Sequence, residues 1–421
     1  MIYAIYDIAT TLAAPPIAGW LFVHPSLRPL LGRFRPQVSN APDRPVCIQA
    51  CSVGEVAVTC GLVAQTLDRW PTVPVVVTSS TINGQRRIAE LLPRTPAAWF
   101  PVDQRASVNG FYERLRPRAL ILVETEIWPN AIRIARRRDI PVLIVNARIS
   151  DKHYPRYQRL RPLLKPVMRQ LSGVAAQNDT YAERFRELGV PAASVRVTGN
   201  IKFDGLITGF DAADQQSLRK NAALDGGQPI IIFGSTRPGD EELAARTWAT
   251  IRAKYPTAQL VVAPRHTERA GDIARVFDEP VRFRSQRPPT GPDSRVLIVD
   301  TVGELVSFYA LADVAVVGGS FYPGVNGHNP LEPAALGVPT VFGPYMRNFM
   351  DPAEALLRYG GALQVTKPDD LTAALHEILD SPERTNKLVA GAREAIAANR
   401  GATARTLEFI EPFIHESAPH E

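Results

Sequence analysis

The chain has 421 residues, of which 45% are hydrophobic and 21% are charged, as in globular proteins and unlike disordered chains or multi-span membrane proteins. The net charge of +6 is too small for a nucleic-acid signature and fits a protein that works near anionic surfaces or substrates. At roughly 100–200 residues per domain, this length predicts two domains. The spacing of Cys47, Cys51 and Cys60 matches no zinc site, so these cysteines are interpreted as reduced thiols.

Residues 1–23 are mostly apolar but include Asp7 and the pair Pro15-Pro16. A membrane-spanning helix needs about 20 mostly apolar residues, and adjacent prolines kink a helix. The segment lacks the basic start and the cleavage site of a signal peptide. The basic flank expected on a cytoplasmic side follows at Arg28, Arg33 and Arg35. We therefore expect a kinked anchor in the membrane interface, with a single span or a buried soluble helix as alternatives.

From residue 45 onward, short apolar runs alternate with amphipathic stretches. Strands are predicted at 46–50, 73–78, 98–101, 119–123, 141–146, 173–177, 195–197, 229–233, 259–263, 296–299, 314–317, 340–342 and 362–365. Continuous apolar strands alternating with helices predict parallel sheets that are covered on both faces. With a linker at 203–216, the pattern predicts an α/β chain of two doubly wound domains that face each other across a cleft. Ligands of such sheets bind beyond the carboxyl ends of the strands.

The first candidate site follows the first predicted strand. Ser52 and Gly54 stand at a strand-to-helix turn, where the free N–H groups of a helix start can hold an anion. Glu55 falls in the first helical turn, where the helix dipole favours a charged carboxylate that can act as a general base. The alternative is that Glu55 caps its own helix.

Two further candidate sites follow later strands of the first half. Glu124 and Glu126 come directly after the apolar strand 119–123, where buried acids are costly unless they are used or paired. The alternative for these acids is electrostatic stabilisation of the next helix start. Lys202 follows the last strand, where a cation can stabilise negative charge on a leaving phosphate. The alternative for Lys202 is an ion pair with Asp204.

In the second half, five loops after predicted strands combine glycine with polar or charged residues, which indicates a nucleotide site. They lie at 233–237, 263–266, 301–304, 318–321 and 327–333. Arg265 can pair with a phosphate, and Glu332 can accept hydrogen bonds from ribose hydroxyls. The absence of GxxxxGK[ST] and of a strand-proximal GxGxxG argues against ATPases and dehydrogenases. His266 and His328 are candidates for catalysis or for local hydrogen bonds, and no cluster has metal-site spacing.

Residues 152–169 contain six cations and no acid. Apolar residues accompany them at helical spacing: Leu160, Leu163, Leu164, Val167 and Met168. The stretch predicts a basic amphipathic helix that binds a membrane surface or a phosphorylated lipid. An ordinary solvated helix is the alternative.

A series of motifs over almost the whole chain resembles the 3-deoxy-D-manno-octulosonic acid (Kdo) transferases of lipopolysaccharide synthesis. In order, they are SVGE at 52–55, ETEIWPN at 124–130, NARIS at 146–150, AAQN at 175–178, TGNIKFD at 198–204, APRH at 263–266, VGE at 302–304 and GHNPLEP at 327–333. The family usually has Met-Gly-Glu where this chain has Val302-Gly303-Glu304. It also has a shorter segment before the His-Asn pair.

Carried over by position, the resemblance implies that Glu55 is the catalytic base and that Glu124 and Lys202 stabilise the transition state. Ser52, Gly54, Glu126 and His328 are further candidate site residues. The residues implied to contact CMP are Pro264, Arg265, Val302, Gly303, Glu304, Asn329, Pro330, Leu331 and Glu332. No metal or cofactor is expected, because CMP-Kdo is a substrate. The Kdo carboxylate is expected to pair with a cation that the sequence does not identify.

The resemblance implies a GT-B-like fold. We expect a hydrophobic membrane-associating segment at 1–33, an acceptor-binding domain with the base at 34–207 and a CMP-Kdo-binding domain at 208–421. The implied activity is inverting transfer of Kdo to a lipid A precursor, tetraacyl-disaccharide bisphosphate, at the cytoplasmic face of the inner membrane, without nucleic acid. The alternatives are another GT-B glycosyltransferase or a sugar-nucleotide epimerase that uses a UDP-sugar, and a non-catalytic nucleotide- or lipid-binding membrane protein.

Overall fold

The computed structural model describes residues 2–38, 41–224, 228–286 and 294–415, and the chain divides into two units. Unit 1 is Met1–Asp204 together with Arg400–Glu421, and unit 2 is Gly205–Asn399. Each unit is built on a seven-stranded parallel sheet, which confirms the predicted α/β class with two doubly wound sheets. The junction at Asp204 and Gly205 lies inside the predicted linker.

The sheet of unit 1 consists of strands that are mostly buried along their whole length. These are β1 (Val46–Gln49), β2 (Val75–Ser79), β3 (Ala97–Trp99), β4 (Ala119–Val123), β5 (Val142–Ala147), β6 (Gly173–Ala176) and β7 (Val195–Val197). Their spatial order is β3-β2-β1-β4-β5-β6-β7, and neighbouring strands are parallel. The order therefore reverses between β1 and β4, and ligands of doubly wound sheets bind at such a switch point.

Helices cover both faces of this sheet. They are α1 (Ile2–Val23), α2 (Val53–Arg69), α3 (Ile82–Leu91), α4 (Arg105–Leu115), α5 (Pro129–Arg137), α6 (Tyr154–Arg159), α7 (Arg161–Met168) and α8 (Asp179–Leu188). Four begin at polar caps, because the side chains of Ser52, Thr81, Gln104 and Asn178 accept backbone hydrogen bonds from the first turns of α2, α3, α4 and α8. Alternate strand residues enter separate cores, Cys47 on one face and Ile48 on the other.

The sheet of unit 2 contains β8 (Ile230–Thr236), β9 (Gln259–Pro264), β10 (Val281–Phe283), β11 (Val296–Ile298), β12 (Val314–Val317), β13 (Thr340–Phe342) and β14 (Leu363–Gln364). Their spatial order is β10-β11-β9-β8-β12-β13-β14, so the switch point lies between β8 and β12. The sequence analysis missed β10. This strand has three residues at the edge of the sheet and includes Arg282, so it offers no continuous apolar run.

The helices of unit 2 are α9 (Ala212–Asn221), α10 (Asp240–Lys254), α11 (Ala270–Ala274), α12 (Leu305–Tyr309), α13 (Leu331–Ala335), α14 (Met350–Arg358), α15 (Leu371–Asp380) and α16 (Pro382–Asn399). Residues buried on the inner side of α10, α15 and α16 join one core with β8, β9 and β12. Unit 2 thus has its own hydrophobic core.

The last helix, α17 (Ala402–His415), belongs to unit 1, so the predicted second domain at 208–421 is wrong at its carboxyl end. Leu407, Ile410 and Ile414 are buried in the same core as β1 and α2. The Asp204 carboxylate fixes the start of α17 by accepting hydrogen bonds from the backbone of Gly401 at 2.7 Å and of Thr403 at 2.6 Å. The return of the chain to unit 1 therefore follows from an apolar helix face and a polar cap.

Helix α1 continues through Pro15 and Pro16 and is held against unit 1 by polar contacts. The Tyr6 hydroxyl donates to Asp103 Oδ2 at 2.8 Å, and Asp7 pairs with Arg133 at 3.2 Å. Large apolar side chains of α1 remain exposed: Ile5, Ile8, Leu12, Ile17, Trp20, Phe22 and Val23. Of the helices in the described ranges, none is both long enough and apolar enough to cross a membrane.

The predicted basic helix at 152–169 forms two short helices, α6 and α7, which meet at Leu160. Pro162 stands at the start of α7, where its missing N–H is tolerated. The apolar residues of this segment also differ in burial, since Val167 and Met168 are buried whereas Leu160 and Leu163 are exposed.

Candidate functional site

Glu55 lies just beyond β1, at the switch point of the first sheet, and its carboxylate is fixed by the start of α2. The Cys51 backbone N–H donates to Glu55 Oε2 at 2.7 Å, and the Ser52 hydroxyl donates to Glu55 Oε1 at 2.9 Å. The capping role that the sequence left open is therefore confirmed. A Cβ atom at Gly54 would meet only Ser52 Oγ, at 3.9 Å, so packing does not require glycine there.

Glu124 and Lys202, which are 78 positions apart, form an ion pair. Lys202 Nζ donates to Glu124 Oε1 at 2.9 Å, and the two side chains are 16% and 17% exposed. Arg148 approaches the other oxygen of Glu124 at 4.0 Å. Glu124 adopts a positive φ of 61°, which is uncommon for a residue with a side chain and turns it out of β4. The alternative pairing of Lys202 with Asp204 is wrong, because Asp204 caps α17.

A polar contact from β5 brings Lys202 to Glu124. Lys202 follows β7, at the edge of the sheet, whereas Glu124 follows the more central β4. The buried Asn146 at the end of β5 accepts a hydrogen bond from the Ile201 backbone N–H at 3.0 Å. This bond holds the short helical turn Ile201–Phe203 over the carboxyl ends of the strands.

Glu126 lies in the same cluster, contacts Trp128 and is influenced by the charge of Arg33, two residues to which the sequence analysis gave no site role. The Trp128 indole N–H donates to Glu126 Oε2 at 2.7 Å. The Arg33 guanidinium lies 5.7 Å from the centre of the Trp128 ring and donates to the Phe100 carbonyl at 3.1 Å. The sequence presented Arg33 only as part of a basic flank, because nothing local links it to residues 124–128.

Burial and neighbouring acids raise the proton affinity of Glu55 and of Glu126. Burial, followed by the charges of Glu126 and Glu124, raises the pKa of Glu55 to about 7, although its two hydrogen bonds act in the opposite direction. Burial also raises the pKa of Glu126, which the Trp128 hydrogen bond opposes. Desolvation and like charges thus outweigh the helix dipole, which favours the charged form of Glu55. A carboxyl group with a pKa near neutrality is well matched to general base catalysis.

In unit 2, the loops that follow the strands supply the predicted nucleotide-binding residues. Pro264 ends β9 and is buried, and the exposed Arg265 follows it. Asn329 Nδ2 donates to Glu332 Oε1 at 3.1 Å, and its Oδ1 accepts from the Leu331 backbone at the same distance. Pro330 and Leu331 are buried beneath them. Burial raises the pKa of Glu332.

The VGE segment combines an exposed tip with an anchored acid. Val302 is 87% exposed, and Gly303 has a φ of 91°. Glu304 is held by the Arg284 guanidinium, which donates to it at 2.8 Å and 3.2 Å, and by the Thr301 hydroxyl. The backbone at 302–303 is therefore available for a ligand, whereas the Glu304 carboxylate positions the turn.

His328 lies in unit 2, packed over the switch point between β8 and β12. A Cβ atom at Gly319 would lie 3.0 Å from His328 Cδ2. Burial, followed by the charges of Arg265 and Arg237, lowers the pKa of His328 to about 4. His328 is therefore neutral at pH 7. In the described part of the chain, no three His, Cys, Asp or Glu side chains are grouped so that they could hold a metal ion.

Comparison with known proteins gives concordant matches. The family model described as 3-Deoxy-D-manno-octulosonic-acid transferase (kdotransferase) matches residues 27–205. The chain is 33% identical over 390 residues to the 3-deoxy-D-manno-octulosonic acid transferase of Haemophilus influenzae, covering 91% of this chain and 90% of the relative. Identity to the Bordetella pertussis protein of the same name is 32% over 439 residues, covering 97% and 99%.

A solved structure shares the fold. The UDP-GlcNAc 2-epimerase from Neisseria meningitidis aligns with a TM-score of 0.58 and 14% identity, covering 87% of this chain and 99% of the epimerase. At this identity the likeness concerns the fold alone, and it agrees with the predicted GT-B-like class.

Proposed function

Because the chain belongs to the family of 3-deoxy-D-manno-octulosonic-acid transferases, we propose that it transfers Kdo from CMP-Kdo to a lipid A precursor in lipopolysaccharide synthesis. It is an enzyme of the glycosyltransferase class. The observation that carries this proposal is the 33% identity to the Haemophilus influenzae transferase, which extends over 91% of the chain. The cluster of Glu55, Glu124 and Glu126 at the first switch point supports it.

In the proposed reaction, a sugar hydroxyl of the acceptor attacks the anomeric carbon of Kdo on the face opposite CMP. The bond from the acceptor oxygen to this carbon forms as the bond from the carbon to the phosphate oxygen breaks. Glu55 accepts the hydroxyl proton, and CMP departs with the electron pair of the broken bond. Glu124 and Lys202 stabilise the charge that develops, and the residues of unit 2 named above hold the nucleotide. No metal or cofactor takes part.

The proposed activity is tested by incubating the full chain with CMP-Kdo and a bisphosphorylated lipid A precursor in detergent micelles. Mass spectrometry of the lipid product is expected to show the mass added by one or more Kdo groups, and the number of increments counts the transfers. Parallel reactions with UDP-sugars are expected to give no product. Transfer from a UDP-sugar instead of CMP-Kdo would contradict the proposal.

The pH dependence of transfer follows from the environment of Glu55. Because the base must be deprotonated, we expect kcat/KM to rise with pH through about 7. Replacing Glu126 with Gln removes a negative charge that disfavours ionisation of Glu55, so the pKa of Glu55 and the midpoint of this rise should move to lower pH. Initial rates measured at several pH values determine both midpoints.

Asp68→Asn serves as the matched control for Glu126→Gln. It removes one negative charge from an exposed position on α2 that lies about 20 Å from Glu55 along the helix. Its midpoint should equal that of the unmodified enzyme. A midpoint that stays unchanged in Glu126→Gln would show that Glu55 is not the group that titrates.

Unit 1 also has a surface suited to the membrane that carries the lipid acceptor. Among the described residues, helix α1 exposes seven large apolar side chains, and exposed apolar surface of this extent is typical of interaction sites. The Tyr3 hydroxyl donates to the Leu163 carbonyl at 3.3 Å, which joins α1 to the basic segment 152–169. Apolar side chains beside cations suit the interface of an anionic leaflet. We therefore propose that this surface lies on the cytoplasmic face of the inner membrane.

The double variant Leu12→Ser/Trp20→Ser is expected to weaken binding to vesicles that contain phosphatidylglycerol by at least about 10-fold, because both side chains lose apolar burial. Cosedimentation measures the effect. Leu67→Ser/Leu91→Ser is the matched control, since both leucines are 38% exposed on other helices. Equal loss in both double variants would contradict a specific role for α1.

A further inference from the structure

Arg237 lies at the switch point of the second sheet, between the end of β8 and the start of α10, and its side chain is half-buried. Its Nε is fully buried, and within the described ranges it has no hydrogen-bond partner. The backbone N–H of Arg237 donates to Asp240 Oδ2 at 2.9 Å, which fixes the turn but leaves the guanidinium without a carboxylate contact. A buried cationic donor without an acceptor is costly, so this position favours an anionic ligand.

The surroundings of Arg237 are unusually cationic. Burial, followed by the charges of Arg265 and Arg269, lowers the pKa of Arg237. The Arg269 guanidinium is already paired with a carboxylate, because it donates to both oxygens of the buried Glu241 at 3.0 Å and 3.3 Å. Arg237 and Arg265 are therefore two neighbouring cations whose mutual repulsion an anion would relieve.

The acids nearest to Arg237 are occupied by other donors. Asp240 accepts from the backbone of Arg237 and from that of Gly319, the latter at 2.6 Å. Glu241 also accepts from the Thr236 hydroxyl at 2.9 Å. These carboxylates stabilise the loops around the guanidinium of Arg237, and neither forms a hydrogen bond with it in the described structure.

A second unsatisfied polar atom lies in the same place. The Nε2 atom of His328 is buried and has no hydrogen-bond partner among the residues that the structure describes. Glycine allows the strand ends to approach here, since a Cβ atom at Gly318 would lie 2.7 Å from the Ser235 carbonyl oxygen. Two buried polar atoms without partners in the described structure, Arg237 Nε and His328 Nε2, thus lie at the point where doubly wound sheets bind ligands.

The donor in the proposed function has two anionic groups on one carbon atom. In CMP-Kdo, the anomeric carbon carries both the sugar carboxylate and the ester oxygen of the CMP phosphate, so two adjacent cations suit it better than one. We propose that Arg237 binds the Kdo carboxylate, next to the phosphate that Arg265 binds. The planar guanidinium can donate two parallel hydrogen bonds to a carboxylate. This inference rests on the proposed function and assigns the cation that the sequence did not identify.

The test compares a ligand that has the carboxylate with one that lacks it. In Arg237→Gln, we expect the KM for CMP-Kdo to rise about 10- to 100-fold, as for a lost charged hydrogen bond. The inhibition constant of CMP should change less than about 3-fold, because CMP has no carboxylate. Arg237→Lys keeps the charge but not the two-pronged geometry, and should give an intermediate KM.

Arg246→Gln is the matched control, because it removes the same charge from an exposed position on α10. It should leave both constants unchanged. Thermal unfolding establishes that each variant is folded, and Arg237→Lys provides the comparison if Arg237→Gln does not fold. Equal weakening of CMP-Kdo and CMP, or no change in either, would overturn the assignment of Arg237. Absence of any CMP-Kdo turnover in the unmodified enzyme would instead contradict the proposed function.

Discussion

Replacing Glu55 with Gln is expected to lower kcat for Kdo transfer by about 10²–10⁴-fold, the usual contribution of a general base. The amide has nearly the shape of the carboxyl group but cannot accept the proton of the acceptor hydroxyl. Binding of CMP-Kdo should change little, because Glu55 belongs to unit 1 and the proposed nucleotide contacts belong to unit 2. Single-turnover rates and donor binding, measured on the same preparation, separate the two effects.

The experiment must also separate chemistry from helix capping, because Glu55 caps α2 and is also the proposed base. Glutamine can still accept one of the two hydrogen bonds from Cys51 and Ser52, so the loss of stability should stay near or below about 1 kcal/mol. Asp179→Asn is a matched control, since Asp179 is an exposed acid in the first turn of α8. It should keep full activity. Equal losses of donor binding and turnover in Glu55→Gln would mean that Glu55 is structural.

Most of the fold could be predicted because both sheets are parallel and buried. A strand that is covered on both faces must be apolar along its length, as β4 and β12 are, so it stands out from the amphipathic helices around it. The position of Glu55 could be predicted for a related reason. It follows a buried strand directly and starts a helix, and this local pattern places it at the carboxyl end of the sheet.

The partners of the site residues could not be predicted, because they depend on strand order. Residues near Lys202 in sequence suggested Asp204, but the order β4-β5-β6-β7 and the hydrogen bond from Asn146 bring Lys202 to Glu124. Helix α17 shows the same limit. Its apolar face would suit either core, and only the cap at Asp204 and the packing against α2 assign it to unit 1.

The second large effect is expected when the ion pair of Lys202 and Glu124 is broken. Replacing Lys202 with Met is expected to lower kcat by about 10²–10³-fold, the range found when a group that stabilises developing negative charge is removed. Stability should also fall, because the pair is mostly buried. The loss should be smaller than the about 3–5 kcal/mol of an uncompensated buried charge, since Arg148 still approaches Glu124 at 4.0 Å. Kinetics and chemical denaturation measure the two effects.

The double variant Glu124→Gln/Lys202→Met, compared with Glu124→Gln alone, distinguishes a role of Lys202 in transfer from mere neutralisation of Glu124. It removes both charges, so the free energy of unfolding should recover relative to Lys202→Met. If Lys202 stabilises the transition state, transfer should be slower in the double variant than in Glu124→Gln, because Glu124→Gln keeps the cation. Lys387→Met, an exposed position on α16, controls for the loss of one lysine charge and should be fully active. Equal transfer rates in the double variant and in Glu124→Gln would show that Lys202 serves only to neutralise Glu124.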